Sequence, residues 1–221
     1  MILDRYYYMS LTKNNKLAYR KIYSAISAFL PTVTIYDIKE KEIHKIIEGI
    51  VLDNPHLFYF DLRKYSYYVS TSAFTLSLSY LCNDYEMKKI KSNINVQVQG
   101  ILSSLELISM SDYEKEKYIH DYLCRNIKYD DICSKNDNIN IEAHTIWGVF
   151  LEKRAVCDGI SKAFKYLCNA LDIKRIVVIG HTNKECIEFH AWNIVKIYGQ
   201  AYQADVTWDL NKREGNSYTY Y

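Results

Sequence analysis

The sequence predicts an α+β protein, in which helices and antiparallel strands follow one another along the chain. Apolar residues recur every three or four positions along several stretches, which is the pattern of amphipathic helices. Other stretches are short and rich in aromatic and β-branched residues, which favours strands. The chain has only seven Gly and two Pro among 221 residues, which disfavours all-β folds built on many tight turns.

The composition is that of a globular protein, with 49% hydrophobic and 24% charged residues. A formal net charge of +2 is too small for a dedicated nucleic-acid binder, and the 22 Tyr residues form no aromatic-and-basic motif. The chain has no run of 18 apolar residues, so no membrane span is predicted. The N-terminus lacks the plan of a signal peptide, and we expect a cytoplasmic protein if Met1 is the native start, or an exported one if a leader has been removed.

In the first half of the chain, capping residues and Pro mark two helices. A helix is predicted over residues 11–30, where an apolar stripe ends at Pro31. Asp37, with Glu40 three residues later, has the pattern of a capping box and opens a second helix that runs to Asn54. Strands are predicted in three aromatic-rich segments, at 57–62, 65–70 and 73–81.

Two further capping boxes divide the chain. Asn83 opens a long helix, and the box that begins at Ser111 indicates that this helix breaks near residue 110. We place a domain boundary there. Residues 1–110 are predicted to form an N-terminal subdomain of helices and strands, and residues 111–221 the second domain.

The second domain is predicted to begin with helices and to end with strands. Its elements are helices over 112–127 and 142–153, a helix from Cys157, a buried strand over 176–180, and a hairpin of strands 189–197 and 201–208 that turns at Tyr198-Gly199.

None of the six cysteines has the spacing of a disulfide framework, so all are predicted to be free thiols. His120 and Cys124 lie four residues apart on a predicted helix, which is a spacing that metal ligands can use. Because no second pair accompanies them, we expect Cys124 to be packed in the core. No metal or other cofactor is predicted.

Cys157 has the position of a nucleophilic thiol. It begins an apolar helical stripe and so lies at or near a helix N-terminus, where the macrodipole and the free backbone N–H groups favour thiolate over thiol. Cys168 lies within the same helix and lacks this help. Gly159 would let another segment of backbone approach the start of the helix.

The register of the predicted hairpin places His190 and Asp205 side by side. A two-residue turn pairs Ile197 with Gln200, and the same register sets Asp205 opposite Trp192. Alternate residues along a strand and paired residues across strands share a face, so His190 and Asp205 are diagonal neighbours roughly 7–8 Å apart at the backbone. A hydrogen bond between the imidazole and the carboxylate is therefore predicted.

Taken one at a time, these residues have structural interpretations. A Cys at a helix start is more often a small buried hydrophobic residue, a His in a strand is more often structural, and an Asp beside a turn is often only solvated. Together they supply the nucleophile, the base and the orienting group that thiol catalysis requires.

The stretch from His144 to Asp209 resembles the core of the transglutaminase-like superfamily of bacterial cysteine enzymes. The residues that carry the resemblance are AVCDGISKAFKYLCNALDI (155–173), HAWNIVKI (190–197) and ADVTWD (204–209). More loosely, three other segments are similar to regions that accompany this core: IHDYLCRNIKYD (119–130), YYYMSLTKNNKLAYRKIYSAI (6–26) and DNPHLFYF (53–60).

The resemblance implies a papain-like core in which the helix bearing Cys157 packs on an antiparallel sheet. It also implies a Cys-His-Asp triad, with Cys157 as nucleophile, His190 as general base and acid, and Asp205 as the residue that orients His190. Members of the family take an acyl group from an amide onto cysteine and pass it to an amine or to water. The sequence departs from the common pattern at three positions, which concern the cleft wall and the acceptor rather than the triad: Ala201, Gln203 and Ile160.

A tetrahedral oxyanion needs two hydrogen-bond donors. The backbone N–H of Cys157 is one, and Tyr129 is the candidate for the second, with a purely structural role as the alternative. Trp192 and Trp208 are candidates for the substrate cleft, although core packing is the more common role of a tryptophan. His144 is either a neighbour of the site or a helix cap.

The predicted function is cysteine-dependent acyl transfer or hydrolysis at amide bonds through a thioester, as a protease, a deamidase or a transamidase. The expected partner is a protein or peptide substrate, for which a cell-wall peptide is one candidate. The alternative is a non-catalytic module that keeps the fold in order to bind peptides or glycans.

Overall fold

The computed structural model describes residues 5–103, 107, 109–136, 138–181 and 189–210, and the backbone of 213, 214, 217 and 218. It confirms the α+β class, since helices alternate with small, mostly antiparallel sheets. The chain divides between Lys88 and Lys89 into two compact units. The domain boundary predicted near residue 110 stays a prediction.

The first unit combines three helices with a three-stranded antiparallel sheet. The helices are α1 (Tyr6–Ser10), α2 (Lys13–Ser27) and α3 (Ile43–Asp53), and the strands are β1 (Thr32–Tyr36), β2 (Ser66–Val69) and β3 (Ala73–Ser77), in the order β1-β3-β2. The side chain of Thr12 caps α2 by accepting a hydrogen bond from the backbone N–H of Asn15. Apolar residues of α2 and α3 are fully buried and form the core of this unit: Ile22, Ile26, Ile46, Ile47 and Ile50.

Two predictions in this unit are wrong. The helix predicted from Asp37 begins later, with a 3₁₀ turn at Glu40–Glu42 that leads into α3, because Asp37 itself has a left-handed backbone with φ of 56°. The segment 57–62 is not a strand; it follows a 3₁₀ turn at Pro55–Leu57 and makes one isolated bridge through Phe60. Its aromatic side chains are buried, so the pattern there indicates burial rather than strand pairing.

The helix α4 runs from Asp84 to Leu102. Its predicted capping box is confirmed, since the backbone N–H of Glu86 donates to the Asn83 side chain at 2.9 Å and the N–H of Asn83 donates to the Glu86 carboxylate at 3.1 Å.

The second unit carries the remaining elements. Its helices are α5 (Asp112–Asn126), α6 (Asp131–Lys135), α7 (Cys157–Ala170) and α8 (Val206–Asp209). A parallel pair is formed by β4 (Lys128–Tyr129) and β5 (Arg154–Ala155), and the main sheet by β6 (Lys174–His181), β7 (Phe189–Ile197) and β8 (Gln200–Ala204), antiparallel in the order β6-β7-β8. The short strands β9 (Arg213–Glu214) and β10 (Ser217–Tyr218) pair with each other.

The helix α7 packs on the main sheet, as predicted. The Ser161 hydroxyl donates to the carbonyl of Ala191 at 2.8 Å, and the Asn193 amide donates to the carbonyl of Ser161 at 3.1 Å. Phe164 and Leu167 of the same helix are fully buried. The helix is therefore joined to the central strand both by hydrogen bonds and by apolar contact.

The predicted hairpin register is confirmed, since Ile197 pairs with Gln200 and Asn193 with Ala204. The second strand, however, ends at Ala204 and not at residue 208. The Asp205 side chain accepts a hydrogen bond from the backbone N–H of Trp208 and so caps the short helix α8. This local bond competes with continued strand pairing and ends the strand.

The predicted helix over 142–153 is replaced by two shorter turns. These are a 3₁₀ turn at Ile141–His144 and a π-helical turn at Gly148–Glu152. Five cysteines of the described chain are free thiols, namely Cys82, Cys124, Cys133, Cys157 and Cys168, whereas Cys186 lies outside the described residues. Over those same residues, none of the helices combines the length and the apolar content that a membrane span requires.

Candidate active site

Cys157 is the first residue of α7 and is half-buried. The segment before it is held by backbone contacts: β5 pairs with β4, and the N–H of Val156 donates to the carbonyl of Ala143 at 3.1 Å. A Cβ at position 159 would lie 2.1 Å from the oxygen of Ala143, so only Gly159 allows this approach. The thiol is thus fixed at a helix N-terminus, as the sequence predicts.

His190 and Asp205 lie together, as the hairpin register predicts. The Nε2 atom of His190 donates to Oδ2 of Asp205 at 2.7 Å, and His190 is only 8% exposed. Cys157 lies close enough to the imidazole to raise the pKa of His190. Because Nε2 is taken by the carboxylate, Nδ1 is the ring nitrogen left for the thiol. The structure therefore brings together all three residues predicted to form a triad.

The electrostatics of this group favour a charged imidazole. Burial lowers the pKa of His190, but the hydrogen bonds and the charges of Asp205 and Cys157 raise it by more, to about 9. At neutral pH the ring therefore carries a proton that it can donate.

Two tryptophan rings stack on the imidazole of His190. Trp208 lies 5.0 Å from it and Trp192 6.0 Å, measured between ring centroids, with interplanar angles of 16° and 14°. Trp192 lies so close to Gly180 that a Cβ there would come within 2.7 Å of the indole. Trp208 is 44% exposed, so it is not a core residue. Both rings restrict the orientation of the imidazole, a role that the sequence did not predict.

Tyr129 lies close to Cys157. The pairing of β4 with β5 sets it beside Ala155, two residues before the thiol, and its ring packs against Cys133, Ala143 and Val156. Burial, followed by the neighbouring charge of Cys157, raises the pKa of Tyr129 to about 12. Its hydroxyl therefore keeps its proton at neutral pH and can act as a donor. The oxyanion role of Tyr129 stays a prediction.

A second polar network supports the first turn of α7, and the sequence reasoning missed it. His144 Nδ1 donates to Asp158 Oδ1 at 2.9 Å, and the Lys162 ammonium donates to Asp158 Oδ2 at 3.0 Å and to the carbonyl of His144 at 2.8 Å. The Cys133 sulfur lies 3.3 Å from His144 Nε2. Asp158 and Lys162 stand four residues apart on one helix, which is the only local signal of this network. His144 is therefore a neighbour of the site that joins its turn to the helix bearing Cys157.

Replacing Asp158 by alanine is expected to destabilise the protein by about 2 kcal/mol, because it leaves the buried Lys162 ammonium without its carboxylate. Burial raises the pKa of Asp158, but Lys162 and His144 lower it by more, to well below its ordinary value. A lowered pKa stabilises the fold above the ordinary value of about 3.9, and that contribution is lost as the pH falls below it. Urea unfolding of the variant and the parent at several pH values measures the difference, which should narrow at acid pH.

The exposed pair Asp84–Lys88 of α4, at 2.6 Å and with the same spacing, is the matched control. Asp84→Ala should cost less than about 1 kcal/mol. If the two variants lose the same free energy of unfolding, the Asp158 network does not stabilise α7 more than an exposed ion pair does.

A half-buried cysteine at a helix start, near a His on the adjoining sheet that is hydrogen-bonded to an Asp, is the arrangement that thiol catalysis requires. Residues 104–208, which include all three of these side chains, match the family described as the transglutaminase-like superfamily. The match covers the part of the chain that carries the candidate site and supports a cysteine-based site in general.

Two solved structures are similar to the chain at low identity. One is described as a TGase, with 14% identity and a TM-score of 0.47 over 70% of this chain and 46% of that one. The other is described as a "Putative Cysteine Protease" from Cytophaga hutchinsonii, with 14% identity and a TM-score of 0.40 over 65% of this chain and 61% of that one. The chain thus spans about half of the first and less than two thirds of the second. No curated protein matches the sequence.

Proposed function

We propose that this protein moves acyl groups from amides through a thioester on Cys157, with a protein or peptide as its substrate. One observation carries the proposal: the imidazole of His190 is hydrogen-bonded to Asp205 at 2.7 Å and lies beside Cys157, the first residue of α7. A nucleophile, a proton carrier and an orienting carboxylate are the parts that this chemistry needs. The match of residues 104–208 to the transglutaminase-like superfamily supports the same proposal.

Acylation begins when the Cys157 sulfur, its proton passed to His190, attacks the carbonyl carbon of the amide. A C–S bond forms and the carbonyl oxygen takes up the negative charge. The imidazolium then gives its proton to the leaving nitrogen, the C–N bond breaks, and ammonia or an amine departs. The thioester remains on Cys157, and His190 is left neutral.

Deacylation uses the neutral imidazole as a base. His190 takes a proton from the incoming water or amine, which attacks the thioester carbon. The C–S bond breaks, and the proton returns to the sulfur. Water gives a free acid, whereas an amine gives a new amide. Asp205 keeps the ring in place through both steps and stabilises the imidazolium.

The developing oxyanion requires donors directed to it. The backbone N–H of Cys157 points out of the first turn of α7, where it has no partner within the helix. The protonated hydroxyl of Tyr129, whose pKa is raised to about 12 by burial and then by the charge of Cys157, is the second donor in this proposal.

The pH dependence follows from His190. Because its pKa is raised to about 9, we expect kcat/KM for an amide to fall as the pH rises through about 9, where the imidazolium loses the proton that the leaving group needs. Alkylation of Cys157 needs no proton donor, so its rate should not fall over the same range. In Asp205→Asn, which lacks the carboxylate charge, the basic limb should move to lower pH. If the basic limb of the pH profile stays at the same pH in Asp205→Asn, a group other than His190 sets it.

The function is tested by incubating the protein with a library of glutamine-containing peptides, with and without a primary amine, and with Cys157→Ala as the blank. Mass spectrometry separates the three outcomes: incorporated amine identifies a transamidase, loss of ammonia a deamidase, and shortened peptides a protease. If the parent and Cys157→Ala give the same products, the proposal fails, and a non-catalytic peptide- or glycan-binding module becomes the better account.

A further inference from the structure

A cavity of about 470 Å³ lies within the second unit, between α5, the β7–β8 hairpin and α8. Its size is that of a small-molecule site. Neither Cys157 nor His190 lines it, so it is not the place where the acyl group reacts. Its wall combines five polar side chains with aromatic and aliphatic ones: Glu116, His120, Gln203, Asp205 and Asp209, with Tyr113, Tyr198, Tyr202, Val195, Ile197 and Ala204.

One acceptor in the wall of this cavity, on Asp209, has no donor among the described residues. The side chain is 1% exposed, and its Oδ2 atom lies 3.1 Å from Nε2 of His120. Its other oxygen, Oδ1, is buried and has no hydrogen-bond partner among the described residues. A buried acceptor left without a donor costs about 1–3 kcal/mol, and more when it is charged, so such atoms call for an explanation.

The charge of the wall also calls for a cation. Three carboxyl groups line the cavity, from Glu116, Asp205 and Asp209, against one imidazole, that of His120, and no Lys or Arg of the described chain lines it. The nearby Lys117 ammonium lies 3.3 Å from the carboxylate of Asp121. Burial raises the pKa of Glu116, and the neighbouring His120 and Lys117 lower it by less.

The rest of the wall suits an apolar stem. Val195 and Ile197 are buried, whereas Tyr113 and Tyr202 are about half exposed. Aromatic faces attract cations as well as apolar groups. Buried carboxylates and half-exposed tyrosines match a ligand that has an ammonium group at one end and a hydrocarbon body at the other.

We propose that this cavity binds an organic ammonium ion, whose N–H groups donate to Asp209 and Glu116 and whose apolar part lies between the tyrosines and the β7–β8 hairpin. The site is distinct from the reacting centre but shares one residue with it. Asp205 lines the cavity, and its Oδ2 atom accepts the hydrogen bond of His190.

The probe is 2-phenylethylammonium, titrated by calorimetry into the full chain carrying Cys157→Ala. This background cannot form a thioester, so the result does not depend on the proposed acyl chemistry, and either proposal can fail without the other. Two compounds of similar shape serve as ligand controls: 2-phenylethanol, which lacks the charge, and 3-phenylpropionate, which reverses it.

Two variants remove one charge each from the wall, Asp209→Asn and Glu116→Gln, and the exposed Asp172→Asn is the matched control. We expect saturable binding of 2-phenylethylammonium, weakened at least about tenfold by each wall variant, which is the loss of one charge-assisted hydrogen bond. Asp172→Asn should bind as the parent does, and both ligand controls should bind at least about tenfold more weakly.

The proposal is overturned if the probe shows no saturable binding, if 2-phenylethanol binds equally well, or if both wall variants keep the parent's affinity. Circular dichroism checks that each variant is folded. If Asp209→Asn does not fold, the affinity of Glu116→Gln for 2-phenylethylammonium is the test. An affinity equal to the parent's overturns the proposal.

Discussion

Replacing Cys157 by alanine is expected to abolish acyl-enzyme formation entirely. The sulfur is the atom that bonds to the acyl carbon, and no other described cysteine contacts His190. Intact-mass spectrometry after mixing with substrate should show the mass of the acyl adduct on the parent and none on the variant. The fold should survive, because the half-buried Cys157 is a small side chain whose loss leaves little cavity.

Cys82→Ala is the control for this experiment, since Cys82 is also half-buried and free. It should leave the adduct unchanged. If the adduct persists in Cys157→Ala and disappears in Cys82→Ala, the nucleophile is Cys82 and the assignment to Cys157 is wrong.

Asp205→Asn is expected to lower turnover by about 10²–10³. The corresponding change in serine triads costs about 10⁴, and a thiol, which is more acidic than a hydroxyl, depends less on the charged partner of its base. The substitution by Asn removes the charge of Asp205 but keeps its ability to cap α8. Its side-chain oxygen can still accept from the N–H of Trp208 and cap α8, so the local fold should be kept.

Turnover of the best peptide substrate and the melting temperature together measure this effect. His190→Ala, which removes the proton carrier itself, should be nearly as damaging as Cys157→Ala. If Asp205→Asn kept full turnover and the same melting temperature as the parent, another residue would have to orient His190.

The three residues of the candidate triad could be placed from the sequence because local rules fix each of them. An apolar stripe set the beginning of α7 at Cys157, and the two-residue turn set the register that brings His190 beside Asp205. The end of β8 could not be placed in the same way. Alternation favoured a strand to Trp208, but the side chain of Asp205 bonds to the backbone and begins a helix instead.

Features that depend on long-range contacts could not be predicted. His144 and Asp158 are fourteen residues apart, and only the fold joins them. The pairing of His120 with Asp209, across 89 positions, likewise carries no local pattern, so the sequence could not indicate that His120 lines a cavity. The segment 57–60 resembled a strand because aromatic residues are common both in strands and in buried segments that form no strand.

The central claim, that His190 activates the thiol of Cys157, is tested most directly by alkylation with iodoacetamide near neutral pH, followed by mass spectrometry of each cysteine peptide. Cys82 is the internal control, because it is similarly exposed and burial raises its pKa. We predict that Cys157 is modified first in the parent and that this preference is lost in His190→Ala. A Cys157 that reacts no faster than Cys82, or that keeps its full rate in His190→Ala, would contradict the account.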